Sequence, residues 1–113
     1  MEIKEYSKLV ALIAEVESKR EAYDKKVNEL EQIEFDNNQL QWSMAYQLER
    51  NAHKSLVRAY TKFRKTIETE EYFHLFSSFK YYSDQSDRNF YLRVRYNVLE
   101  EIRHLTFEDY RNY

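Results

Sequence analysis

The sequence contains no glycine and no proline in 113 residues. Average usage of about 7% Gly and about 5% Pro would supply roughly eight and six of them. Hairpin-rich β folds are difficult to build without these residues, because glycine provides positive φ angles in tight turns and proline marks turns and strand edges. Phosphate-binding loops, dinucleotide fingerprints and Gly-x-Ser-x-Gly elbows are excluded as well, since each needs glycine. We therefore expect an all-α protein.

Length and the remaining composition narrow the class further. A chain of this length can bury a core of its own, which predicts a single helical domain over residues 1–113. The absence of cysteine excludes disulfide frameworks, Cys-ligated zinc and thiol catalysis. The start of the chain carries acids where a signal peptide needs a basic flank, and no stretch approaches the roughly 20 apolar residues of a membrane span. We expect a cytoplasmic protein without a membrane partner.

Apolar residues at alternating spacings of three and four predict a first helix over residues 3–35. The pattern ends at residues 35–38, where Asn37 or Asn38 can adopt the left-handed conformation and Asn38 can cap the next helix. Arg20 interrupts a seam that otherwise consists of Tyr6, Leu9, Ile13, Val16, Tyr23, Val27 and Leu30.

A second helix is predicted over residues 39–67. A short turn between two helices of roughly 30 residues indicates a long antiparallel hairpin, coiled-coil-like and about 45 Å in length. The apolar line of the second helix runs through Leu40, Met44, Leu48, Ala52, Leu56, Ala59, Phe63 and Ile67.

Two or three shorter helices are predicted to pack on this hairpin as a small bundle. Thr69 followed by two acids indicates a helix over residues 70–82, although it can also continue the second helix. Ser86 or Asp87 can cap a helix over residues 88–105, and Thr106 can cap a short one over residues 107–112. Residues 90–98 also alternate as a half-buried strand would, but the apolar stripe through Ile102 favours a helix.

Two Glu-x-x-His pairs are the strongest candidates for metal ligands, because carboxylate-bridged di-iron bundles use that spacing. The pairs are Glu71 with His74 and Glu101 with His104. Both fall on the polar arcs of their helices, whereas a bundle metal site needs ligands that point inward. We therefore expect no metal, no cofactor and no catalytic residues, and the protein is predicted not to be an enzyme.

A basic ridge on the second helix is the more specific pattern. No acid occurs between Asn51 and Ile67, and the net charge of residues 37–67 is +5, against −4 before and −3 after them. The ridge can bind a polyanion or an acidic partner. The alternative is that acids of the first helix, from Glu15 to Glu31, neutralise it inside the hairpin. The ridge residues are Arg50, Lys54, Arg58, Lys62 and Lys65.

The aromatic content indicates a protein interface. The chain has 11 Tyr, 7 Phe and 1 Trp, and Tyr, Trp and Arg dominate interface hot spots. In addition, the shorter helices cannot cover a hairpin of about 45 Å, so part of its apolar stripe stays available to another protein or a second copy. The candidate interface aromatics are Trp42, Tyr46, Tyr81, Tyr110 and Tyr113.

Together these features predict a small non-enzymatic protein-binding module. Size and composition are typical of phage or mobile-element proteins, which suggests an inhibitor that occludes a host protein such as a defence nuclease. One alternative is a nucleic-acid-binding accessory protein that uses the basic ridge, and another is a self-assembling coiled-coil protein that forms homodimers.

Overall fold

A computed structural model describes the backbone of residues 3–69 and 85–111 and the side chains of residues 7–68 and 85–103. The helices in these ranges are α1 (Ile3–Glu31), α2 (Gln39–Thr69) and α3 (Asp87–Arg111). No strand occurs in the described ranges, so the all-α prediction is confirmed for them. None of these helices combines the length and the apolar content that crossing a membrane requires.

The chain divides into two compact units. One unit is Ala14–Ala59, which holds the end of α1, the turn after it and the start of α2. The other unit combines Met1–Ile13 with Tyr60–Tyr113.

Within Ala14–Ala59, the first helix ends four residues earlier than predicted. The Ile33 N–H donates to the Leu30 carbonyl at 3.1 Å, and this tighter i→i+3 bond closes α1 at Glu31. A separate turn follows, in which the Asn38 N–H donates to the Glu34 carbonyl at 3.1 Å and the Asn37 side chain donates to the Glu34 carboxylate at 2.6 Å. The predicted left-handed conformation of Asn37 or Asn38 and the predicted cap by Asn38 stay predictions.

The second unit has a core to which all three helices contribute. Tyr91 lies at its centre, with its ring centroid 5.4 Å from that of Tyr60 and 5.0 Å from that of Phe63, the latter edge to face. Burial of these rings and of the aliphatic side chains around them is the main stabilising term in the unit. The buried side chains are Leu9, Ile13, Tyr60, Phe63, Ile67, Phe90, Tyr91, Val94 and Val98.

α3 decides between helix and strand for residues 90–98 and corrects one predicted helix boundary. Residues 90–98 are helical, so the strand alternative is wrong: Tyr91 is buried and Tyr96 is exposed, opposite to the strand pattern. The predicted break at Thr106 is also wrong, because α3 continues to Arg111 and no residue at this point removes a backbone donor. The predicted helix over 70–82 lies outside the described residues.

The start of α3 is tied to α2. The Ser86 hydroxyl accepts from the Asn89 N–H at 3.2 Å, which confirms a cap at this position. Asp87 accepts from the Thr61 hydroxyl at 2.8 Å and from Arg64 Nη1 at 3.1 Å. Arg64 also donates to the Gln85 carbonyl at 2.6 Å and lies over the Phe90 ring, so one guanidinium joins α2 to the first turn of α3.

Candidate functional site

Glu49 is the one charged residue that is buried among the described residues, with 5% of its surface exposed. Its neighbour Arg50 donates to both carboxylate oxygens, from Nε at 2.6 Å and from Nη2 at 2.5 Å. The Tyr23 hydroxyl of α1 is a further hydrogen-bond partner of the carboxylate. A buried carboxylate is costly unless such partners compensate its lost hydration. The hydrogen bond between Tyr23 and Glu49 therefore joins α1 to α2 within Ala14–Ala59.

The electrostatics of this group follow from its hydrogen bonds. The Arg50 side chain holds the pKa of Glu49 below its ordinary value, against the opposing effect of burial. Burial raises the pKa of the Tyr23 hydroxyl, and the Glu49 carboxylate raises it further. Both shifts keep a charged acceptor next to a neutral donor, which is the arrangement that a stable Tyr–Glu hydrogen bond requires.

His53 completes the packing around Tyr23. The two ring centroids are 5.5 Å apart, and His53 Nδ1 is buried without a hydrogen-bond partner in the part of the chain that the structure describes. The sequence pattern does not predict a cluster of Tyr23, Glu49 and His53, because Glu49 lies off the apolar line of α2.

Two of the predicted interface aromatics form a stacked row with a ridge residue. Trp42 meets Phe35 edge to face at 5.1 Å and stacks on Tyr46 at 5.2 Å. The Arg50 guanidinium lies 5.9 Å from the Tyr46 ring centroid, close enough for a cation–π contact. Tyr81 and Tyr113 lie outside the described residues, as does the side chain of Tyr110.

The five residues of the basic ridge differ in their contacts. Arg50 is committed to Glu49. Lys54 and Arg58 are exposed, and neither forms an ion pair within the described side chains. Lys62 and Lys65 are exposed, belong to the other unit and do interact with other groups.

The ion pairs of α1 bear on the proposed neutralisation of the ridge. Glu17 pairs with Arg20 and Glu29 pairs with Lys26, in both cases along α1 itself. Among the described side chains, the acids of α1 therefore do not neutralise Lys54 and Arg58. The charges of these two residues remain available to a ligand.

Three large apolar side chains on the apolar line predicted for α2 are exposed at the start of this helix. The exposed fractions are 77% for Leu40, 63% for Met44 and 49% for Leu48. A step of four residues turns about 40° past a full helical turn, so a line drawn at this spacing drifts around the helix. From the buried Leu56, four such steps carry the line through about 160° to Leu40. Glu49 takes the inward position instead.

These side chains and two cations share one side of α2. At about 100° per residue, Leu40, Met44, Leu48, Lys54 and Arg58 fall within a sector of about 120°. All five belong to Ala14–Ala59, and we call this set the outer face of α2. Its first half is apolar and its second half is basic, a combination suited to an amphipathic partner.

No described group has the composition of a metal site. Among the described residues, no group of three or more His, Asp or Glu side chains is arranged so that it could hold a metal ion. Residues 71 and 74 of the first Glu-x-x-His pair, and the His104 side chain of the second, lie outside the description. An open hollow of about 480 Å³ along α3 is lined by Gln85, Asn89, Leu92, Arg93 and Tyr96, and its lining contains no carboxylate.

Comparison with known proteins gives no matching family model, no matching curated protein and no matching solved structure.

Proposed function

We propose that this chain is a small non-enzymatic protein-binding module whose binding surface is the outer face of α2. The observation that carries the proposal is the exposure of Leu40, Met44 and Leu48 on consecutive turns of one helix. Covering a large apolar side chain fully contributes about 1.5–3 kcal/mol, so a row of three is a substantial source of binding energy. Contiguous exposed apolar side chains are typical of interaction sites.

The uncharged stretch that contains these residues supports the proposal. Residues 37–48 carry no charged side chain, although 34% of the chain is charged. A protein-binding surface is depleted of charge at its centre and polar at its rim. Lys54 and Arg58 supply such a rim at one end of the apolar row.

The scaffold that we propose for this surface is an antiparallel helical hairpin. The contacts within Ala14–Ala59 are nested about the turn: Phe35 meets Trp42 close to it, and Tyr23 meets His53 farther from it. Nested pairs are the pattern that an antiparallel hairpin produces. Extension of this hairpin to residues 3–67, with shorter helices packed on it, stays a prediction, as do the single domain and the cytoplasmic location.

The test is a charge introduced into the apolar row. We expect Met44→Lys to abolish capture of a binding partner that the wild-type chain retains on an affinity column. Leu99→Lys is the matched control, because it places the same charge on an α3 side chain that is 43% exposed. Circular dichroism of each variant separates lost binding from lost folding. Equal retention of partner by Met44→Lys and wild type would remove the outer face from the proposal.

A second candidate function is polyanion binding, which is favoured by Lys54 and Arg58, both exposed and without an ion pair among the described side chains. Cations that neutralise phosphates release counterions, so such binding weakens steeply with salt. We expect Lys54→Glu/Arg58→Glu to abolish any binding of labelled DNA at low salt, measured by fluorescence anisotropy. Lys19→Glu/Lys25→Glu on α1 is the control for net charge. Absence of wild-type binding at low salt would exclude this function.

We also propose a narrower role: the chain is an inhibitor from a phage or mobile element, and it occludes a host protein such as a defence nuclease. It rests on chain size and composition, and identification of the captured partner tests it directly.

A further inference from the structure

The charges on either side of the apolar row have opposite signs. Residues 29–36 contain Glu29, Glu31, Glu34 and Asp36 and no basic residue. Residues 37–48 carry no charge, and residues 50–58 contain Arg50, Lys54 and Arg58 and no acid. An acidic turn, a neutral apolar row and a basic segment therefore follow one another along the chain.

This order is complementary to itself in the reversed direction. When two copies of α2 lie antiparallel with Met44 against Met44, Leu40 of one copy faces Leu48 of the other. Lys54 then lies about 15 Å from the two-fold axis along the helix, whereas α2 of the other copy extends only about 7.5 Å from the axis to its start at Gln39. Beyond that start lies the acidic turn, so each copy's Lys54 comes opposite the turn of the other, and Arg58 lies one helical turn farther along.

The acids of the turn are available for this pairing. Asp36 is exposed and forms no ion pair within the described residues. Glu34 accepts a hydrogen bond from the neutral amide of Asn37, and its charge has no ion pair within residues 7–68 and 85–103. Lys54 and Arg58 are likewise exposed and without an ion pair in the described part of the chain.

We propose that the outer face of α2 binds a second copy of this chain in an antiparallel, two-fold symmetric arrangement. This inference rests on the proposed function and names the partner of the same surface. An isologous contact uses one patch on both copies, which is the requirement that the acidic–apolar–basic order meets. A parallel pairing would place Lys54 against Lys54, and a nucleic acid laid along α2 would meet the acidic turn, so neither matches the charge pattern as well.

Charge reversal tests the register. In Lys54→Glu/Arg58→Glu both the turn and the helix are acidic, and in Glu34→Lys/Asp36→Lys both are basic. Each variant alone therefore repels itself, while an equimolar mixture restores both sets of opposite charges across the interface. We expect sedimentation velocity to show a wild-type dimer at about micromolar concentration. Each variant alone should dissociate at least about tenfold more readily, and the mixture should return to within about threefold of wild type.

Mixing separates the proposed contact from a loss of folding, because a misfolded variant is not rescued by its counterpart. Met44→Asp is a second probe that leaves the turn intact: it places two carboxylates at the two-fold axis, and we expect a monomer. Dimers of unchanged affinity in every variant would overturn the proposal, since the interface would then lie elsewhere.

Failure of this inference and failure of the proposed function give different results. A wild-type chain that is monomeric at millimolar concentration overturns the second copy as occupant. If Met44→Lys still abolishes capture of another protein in that case, the binding module stands and its occupant is a different chain. If neither self-association nor capture depends on Met44, both proposals are wrong.

Discussion

At the scale of single residues, the most consequential side chain of Ala14–Ala59 is a carboxylate at a position where an apolar residue would be expected. Glu49 lies on the inward side of α2, where Leu56 lies two turns later. Its charge is matched by Arg50, and its remaining hydrogen-bonding capacity is used by Tyr23. Such a group specifies geometry more than it adds stability, because its desolvation offsets much of the attraction.

The lowered pKa of Glu49 makes stability depend on pH in the acid range. The unfolded chain takes up a proton near the ordinary pKa of 4.5, while the folded chain resists protonation until a lower pH. Between these values the unfolded state binds more protons, so the contribution of Glu49 is complete above about pH 4.5 and is lost as the pH falls through the lowered pKa.

We therefore expect Glu49→Gln to destabilise the fold by about 1–2 kcal/mol at pH 7, a value reduced by the partial exposure of Arg50. The gap to wild type should narrow as the pH falls through the lowered pKa, because the wild-type side chain then becomes neutral too. Urea unfolding at pH 7 and at pH 3 measures both effects, with the exposed Glu21→Gln as control. A gap of equal size at both pH values would contradict the proposed charge pairing.

At the scale of helices, the sequence was sufficient to predict that α1 and α2 form, but not to predict which side of α2 is buried along its whole length. The seam of α1 correctly predicts the buried Leu9, Ile13 and Val16, since spacings of three and four follow the helical period. The apolar line of α2 ends at the buried Leu56 and Ile67, whereas its steps of four carry it around the helix to the exposed Leu40 at its start. Hydrophobicity alone put Leu40 on this line, whereas the helical angle from Leu56 places it on the opposite side of α2.

The candidate site was predictable to the same extent. Trp42, Tyr46 and Arg50 were selected by residue type, and the structure brings them into one row. The Tyr23–Glu49 contact was not predicted, because nothing in a single sequence indicates to which carboxylate a tyrosine hydroxyl will donate its hydrogen bond.

The first turn of α3 offers a test of how this helix is held. Asp87 receives hydrogen bonds from Thr61 and Arg64 of α2, and it lies where the helix dipole favours an acid. We expect Asp87→Ala to cost about 1–3 kcal/mol and to raise amide hydrogen exchange in the first turns of α3. The control is Glu101→Ala, an exposed acid of the same helix. Unchanged exchange in α3 would show that the apolar contacts of Tyr91 and Val94 hold it without Asp87.

At the scale of the whole molecule, the charge is arranged in blocks and not spread evenly. Residues 1–36 carry a net −4, residues 37–67 a net +5 and residues 68–113 a net −3, for a total of −2. A chain that is nearly neutral as a whole does not repel its own copies strongly, while its blocks attract over distances of about 10 Å at 0.1 M salt. Block charge of this kind favours association in which opposite blocks meet.

Salt dependence distinguishes such association from a purely apolar one. Screening weakens contacts between exposed Lys54 or Arg58 and an acidic turn, whereas burial of Leu40, Met44 and Leu48 is insensitive to moderate salt. We expect the proposed dimer to weaken about threefold to tenfold between 0.05 and 0.5 M NaCl, measured by sedimentation velocity. The neutral variant Lys54→Gln/Arg58→Gln should be weaker at low salt and nearly independent of salt. If its salt dependence equals that of wild type, the charges at positions 54 and 58 do not contribute to the interface, and the antiparallel register loses its support.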